Sequence, residues 1–229
     1  MNLALAYRDY LDNLRKNDPV YWIENNLYTN IDLYDQQKYV LRDRSPRKAA
    51  VFGRRTGKTT LVCLESLYTA LTGSNRRVVV VSRGIMLRVM FQFLMDIVAN
   101  SGVDIRSVFY THRVTFSNGS TIEVCSPHSD MLRSGTVDLL CVDEIAHFTS
   151  HTVQFIELVM AASRGGSFFA AFTPMPNMSE IGELLRTGGF SVHHCSLRDI
   201  PGGEEICDRI EPEMNDEAIR REVLAEFAW

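Results

Sequence analysis

Two short stretches hold residue types whose order could do chemistry on a phosphate. The first, "GRRTGKTT" at residues 53–60, places Gly57, Lys58, Thr59 and Thr60 just after an apolar run. A strand, a tight glycine turn and a helix opening on Lys and Thr point backbone N–H groups and a helix N-terminus at an anion. In such a loop Lys58 would hold the β- and γ-phosphate oxygens of a nucleotide, and the Thr59 hydroxyl would ligate Mg²⁺. The spacing departs from the usual G-x-x-x-x-G-K-[ST], because Phe52 stands where the first glycine is expected and Gly53 follows it. The second stretch, "LLCVDE" at 139–144, ends an apolar run in two acids. There Asp143 would bind Mg²⁺ through its water shell, and Glu144 would orient and polarise the water attacking the γ-phosphate. An adjacent acid of this kind points to hydrolysis rather than to transfer.

Two weaker signals accompany them. "FFAAFTPMP" (168–176) ends a strand in Thr173-Pro174, where a hydroxyl beside the phosphate could report its loss; a strand simply stopped by proline is the equal alternative. "YDQQKYVL" (34–41) offers the amides of Gln36 and Gln37, either of which can read an adenine edge, although surface glutamines are common.

Positioning these groups takes an α/β scaffold. Ala49 to Phe52, Val78 to Ser82, Leu139 to Asp143, Phe168 to Thr173 and Ser191 to Cys195 read as strands, and their near-continuous hydrophobicity means burial on both faces. Helices are expected over Lys58 to Leu71, Ile85 to Asn100, Thr152 to Ala162 and Ser179 to Arg186, which together give a mainly parallel sheet flanked on both sides. "RVTFSNGSTIEV" adds a hairpin around Asn118-Gly119, an antiparallel excursion between the second and third strands. Upstream, a helix over residues 1–16 stops at Asp18-Pro19 and a second covers Tyr34 to Arg44. Downstream, Asn215 caps a last helix with Ile219, Val223 and Phe227 on one face.

Bulk properties narrow the function. The 229 residues are 45% hydrophobic with a net charge of −4, which suits one main domain and argues against coating nucleic acid by bulk attraction. Arg76, Arg77, Arg83 and Arg88 gather around the second strand, where a solvated rim is the ordinary reading. Cys63, Cys125, Cys141, Cys195 and Cys207 show no C-x-x-C spacing and read as reduced, buried thiols. No apolar run reaches the length of a membrane span and the N-terminus lacks a signal-peptide order, so a cytoplasmic protein is expected.

Together these residues resemble one family, the ATPase domain of the large terminase subunit that packages viral DNA. "GRRTGKTT" is similar to its phosphate loop, which has an Arg after the first small residue and one residue fewer before G-K-T. The match puts Gly53 at the small position, Arg54 at the arginine, and Arg55, Thr56, Gly57, Lys58, Thr59 and Thr60 through the loop. "CVDE" resembles its hydrolytic motif, "FTP" its coupling motif at Thr173, and "LYDQQKYVL" its adenine-contacting glutamine at Gln37. "LRSGTVDLLCVDE" looks like the stretch that carries an arginine finger acting on the neighbouring subunit, here Arg133.

The resemblance implies a P-loop NTPase fold of the additional-strand, catalytic-glutamate type (ASCE) with ATP and Mg²⁺ as cofactors. Expected partners are double-stranded DNA, a portal protein, a terminase small subunit, further copies in a ring and, in the full-length protein, a C-terminal nuclease domain, with no membrane and with work done in the host cytoplasm. Arg54 would act in cis and Arg133 in trans. The chain divides into an adenine-side helical segment (1–44), the ATPase core (45–200) and a C-terminal helical segment (201–229) leading to a nuclease domain that this chain lacks; Glu204, Glu205 and Asp208 read as a solvated loop, and no nuclease activity is expected. Rival readings are a helicase-like core, which would need a second similar domain to close on the nucleotide, and a nucleotide-gated scaffold that binds ATP without turning it over.

Overall fold

The arrangement follows from where the apolar runs pair. A computed structural model describes residues 3–109, 112–129, 132, 136–148, 151–162, 165–176 and 178–227. Among the described residues eight strands form one sheet in the order β3-β4-β5-β2-β6-β7-β1-β8: β1 (Arg47–Phe52), β2 (Arg77–Val81), β3 (Ile105–Phe109), β4 (Arg113–Phe116), β5 (Thr121–Cys125), β6 (Leu139–Asp143), β7 (Ser167–Phe172) and β8 (Ser191–Cys195). From β5 to β8 every pairing is parallel; β3, β4 and β5 are antiparallel. The expected hairpin is therefore an extension of the main sheet, since β5 pairs directly with β2 (Val79↔Glu123). β3, which the sequence pattern does not announce, forms the edge.

Period-2 alternation divides each buried strand between two cores. Ala50 and Phe52, Val78 and Val80, Leu139 and Cys141, and Phe169 and Ala171 face one side. Ala49 and Val51, Val79 and Val81, Leu140 and Val142, and Phe168 and Ala170 face the other. The first side is covered by α2 (Pro19–Asn26), α3 (Asp35–Arg42), α4 (Lys58–Thr72) and α5 (Ile85–Asn100), the second by α6 (His151–Ala162) and α7 (Ser179–Thr187). The mainly parallel doubly covered sheet expected from the sequence is present, and all five cysteines are free and buried. Among the described residues no helix is long and apolar enough to cross a membrane.

Three local expectations are corrected. Asp18-Pro19 does end α1 (Leu3–Asn17), but it also starts α2: Asp18 accepts from the Val20 N–H at 2.9 Å and Pro19 fills the first helical turn, where its missing N–H costs nothing. Glu204, Glu205 and Asp208 lie on α8 (Gly203–Ile210) rather than on a loop, because Gly202 adopts φ 72° and turns the chain into a helix. Asn215 does cap the last segment, accepting from the Ala218 N–H at 2.8 Å. However, that segment is a short stretch of α-helix (Asp216–Ala218) running into a π-helix (Ile219–Val223), and Phe227 lies beyond it, against Phe172 at 6.2 Å between centroids. The segment is packed against the phosphate-type loop, where the Glu222 carbonyl accepts from the Arg54 N–H at 2.8 Å.

A buried ion pair ties the first three layers together. Lys48, at the start of β1, donates to the Val40 and Asp43 carbonyls at 2.9 and 3.0 Å and pairs with Glu65 of α4 at 3.0 Å. Replacing Lys48 with methionine leaves the Glu65 carboxylate buried with only the half-exposed Arg44 as partner. The expected loss is about 3 kcal/mol of unfolding free energy, read from the urea midpoint at unchanged slope.

Candidate active site

Adjacent strands β6, β7 and β1 end at the same edge of the sheet, so the loops after Asp143, Phe172 and Phe52 become neighbours. Ligands of open α/β sheets sit at that edge. The strand β7, inserted between the loop-bearing β1 and the acid-bearing β6, is the additional strand of the expected fold type.

The phosphate-type loop is coiled by left-handed conformations at Arg55 (φ 60°) and Gly57 (φ 75°). Buried Thr56 closes it by donating from its hydroxyl to the Gly53 carbonyl at 2.7 Å. The first helical hydrogen bond of α4 runs from Leu61 N to Gly57 O at 3.1 Å, so the amides of Lys58, Thr59 and Thr60 have no acceptor within the helix and can meet an anion. The Gly53 N–H is taken by Cys195 O at 2.9 Å. A Cβ at Gly53 would meet Val223 O at 2.7 Å, Glu222 O at 3.0 Å and Leu197 N at 3.1 Å. The small residue is therefore required by backbone packed against it.

Lys58, buried, donates to Gly53 O at 2.9 Å and pairs with Glu144 Oε1 at 3.1 Å. Glu144 Oε2 accepts from the Thr173 N–H at 3.2 Å, and the Thr173 hydroxyl donates to Phe52 O at 2.9 Å. Thr173 thus joins the tips of β7 and β1 and holds the acid. Glu144 itself has φ 53° and ψ 57°, a strained conformation for a non-glycine residue and one concentrated at functional sites. Asp143, 1% exposed, lies 3.4 Å from the Thr59 hydroxyl. Burial, reinforced by the neighbouring Glu144 carboxylate and opposed by Lys58 and Thr59, pushes the Asp143 carboxyl up to about 7. A hydroxyl beside a crowded, buried carboxylate is a hard-oxygen donor set of the kind Mg²⁺ takes. Among the described residues no group of three or more His, Cys, Asp or Glu could cage a metal, so the remaining ligands of such an ion would be phosphate and water oxygens.

Arg54, Arg55, Gly57, Lys58, Thr59, Glu144 and Thr173 line one cavity of about 540 Å³. The sequence alone does not single out three further lining residues, Met86, Met175 and Glu222. Glu222 lies far along the chain in a charge-rich stretch that reads only as a helix face. It pairs with Arg54, whose side chain is 64% exposed, so in this structure Arg54 is turned to Glu222 at the mouth of the cavity. Gln37 is buried, accepts from the Tyr34 N–H at 3.4 Å and presses on Gly57 from the α3 side without lining the cavity. Tyr34 adds a hydroxyl donated to the Thr56 carbonyl. Thr60 is half-buried on α4. Arg133 lies outside the described residues. The four arginines around β2 separate: Arg76 and Arg77 bind Asp138 at the far edge of the sheet, whereas Arg83 and Arg88 follow the strand at the edge that carries the cavity.

No protein-family model and no curated protein matches the chain, but solved structures do. The large terminase ATPase domain of Thermus phage P74-26 superposes with a TM-score of 0.73 at 17% identity, over 87% of this chain and 96% of that one. The large terminase of bacteriophage HK97 gives 0.72 at 12% identity, over 93% and 55%. A large terminase from a thermophilic bacteriophage in complex with ATP-γ-S gives 0.66 at 15%, over 85% and 53%. The chain therefore spans about half the length of the latter two proteins and nearly all of the first. Its fold is that of large terminase ATPase domains, a P-loop NTPase fold.

Proposed function

We propose that this chain is the ATPase motor domain of a viral DNA-packaging terminase, hydrolysing ATP to ADP and phosphate to drive double-stranded DNA into a capsid. The observation that carries the reading is Glu144, strained at the tip of β6 and held between Lys58 and Thr173 on the wall of the loop's cavity. The ATP-γ-S complex of a structural neighbour supports ATP as the nucleotide.

In this reading Lys58 exchanges the Gly53 carbonyl and Glu144 for β- and γ-phosphate oxygens. Glu144, released from Lys58, accepts the proton of the water that attacks the γ-phosphorus as the bond to the ADP oxygen breaks. Mg²⁺, held at Thr59 and Asp143, would neutralise phosphate charge. Arg54 acts in cis after parting from Glu222, Arg133 acts in trans, Gln37 reads the adenine from the 1–44 segment, and Thr173 couples loss of the γ-phosphate to the β7 tip. The 45–200 core is the motor and 201–229 leads towards a nuclease domain in a longer protein. Portal protein, small subunit and a ring of copies are the remaining partners.

The test is ATPase rate against protein concentration, with and without double-stranded DNA. A rate that rises more steeply than concentration, and further with DNA, is expected of sites shared between subunits. A strictly proportional rate indifferent to DNA would overturn the motor reading.

A further inference from the structure

Two exposed apolar stripes lie on opposite faces of the sheet. On α5, Ile85, Met86 and Val89 are 75%, 37% and 48% exposed, while Met90, Leu94, Ile97 and Val98 supply its buried face. On α6, Val153, Ile156 and Met160 are 58%, 40% and 65% exposed, while Phe155, Leu158 and Ala162 face the core. Neither stripe is needed by the cores beneath it, and apolar surface gathered in this way marks an interaction site.

Charge distinguishes the stripes. α5 carries no acid from Ile85 to Met95, and exposed Arg83 and Arg88 flank its stripe. The only Asp, Glu, Lys or Arg on α6 is Glu157, exposed beside Ile156. A two-fold contact would set each stripe on itself, arginine against arginine or glutamate against glutamate, whereas a head-to-tail contact sets basic on acidic. We propose that the α5 stripe of one copy docks on the α6 stripe of the next, Arg88 against Glu157, as the repeating contact of the assembly. The contact has a place for shared chemistry. Met86, at the base of the α5 stripe, lines the nucleotide cavity, and Leu132, next in sequence to Arg133, packs in a groove with Glu157 and Met160. The inference rests on the self-association in the motor reading and is independent of hydrolysis.

It is tested without nucleotide. All five native cysteines are buried, so engineered surface thiols report alone. Chains carrying Val89→Cys and Ile156→Cys are oxidised with copper phenanthroline, each separately and in equimolar mixture. The mixture is expected to give disulfide-linked dimer in about tenfold the yield of either chain alone. Equal yield from either chain alone, or no more from the mixture than from wild type, overturns the contact. Arg88→Glu on the first chain is expected to cut the yield several-fold and Glu157→Arg on the second to restore it; failure to restore overturns the Arg88–Glu157 pairing. Because no turnover is measured, failure of the ATPase reading would appear separately, in the rate assay.

Discussion

Glu144→Gln is expected to lower the ATP hydrolysis rate by about 10³-fold while nucleotide affinity stays close to wild type. The amide keeps an oxygen for the Thr173 N–H, so the tip of β6 retains its support, but it cannot take a proton from water. Lys58 loses a charged partner and remains hydrogen-bonded to Gly53, which leaves the ammonium at the mouth of the loop for phosphate. Single-turnover phosphate release and equilibrium binding of a fluorescent ATP analogue separate the two effects. Unchanged release would remove Glu144 from the chemistry. Binding without measurable turnover in the wild type would favour a nucleotide-gated scaffold.

Arg133→Ala is expected to cost about 10³-fold or more in assembled, DNA-stimulated turnover, the range for removing an arginine supplied across an interface. The variant is expected to match wild type in the slow rate of dilute protein, where no neighbour is present to donate it. Mixing supplies the decisive measurement: adding Glu144→Gln subunits, which retain Arg133 but cannot hydrolyse, to Arg133→Ala subunits is expected to restore turnover at their junctions. Equal rates for Arg133→Ala and wild type under conditions of proven assembly would remove the trans role.

Much of the fold is legible because its central strands are buried on both faces. β1, β2, β6 and β7 are continuous apolar runs, and a solvated element could not carry them. β3 is not legible for the opposite reason: at the edge, Ile105, Val108 and Phe109 are exposed and Arg106 interrupts them, so no alternation survives. α2 hides behind Pro19, which reads as a stop until Asp18 is seen capping the next turn. In the site, Lys58, Thr59, Asp143, Glu144 and Thr173 could be gathered from the sequence because each sits at the tip of a recognisable strand or the helix after it. Glu222 could not, since only the folded chain brings its carbonyl to Arg54.

That long-range contact changes what the glycine at position 53 records. The atoms that forbid a side chain there belong to Leu197, Glu222 and Val223. The small residue at this position is thus an imprint of distant parts of the same polypeptide. Anyone grafting the loop into another scaffold would have to transplant the backbone at Leu197, Glu222 and Val223 with it, or could restore a larger residue at the position once all three were gone.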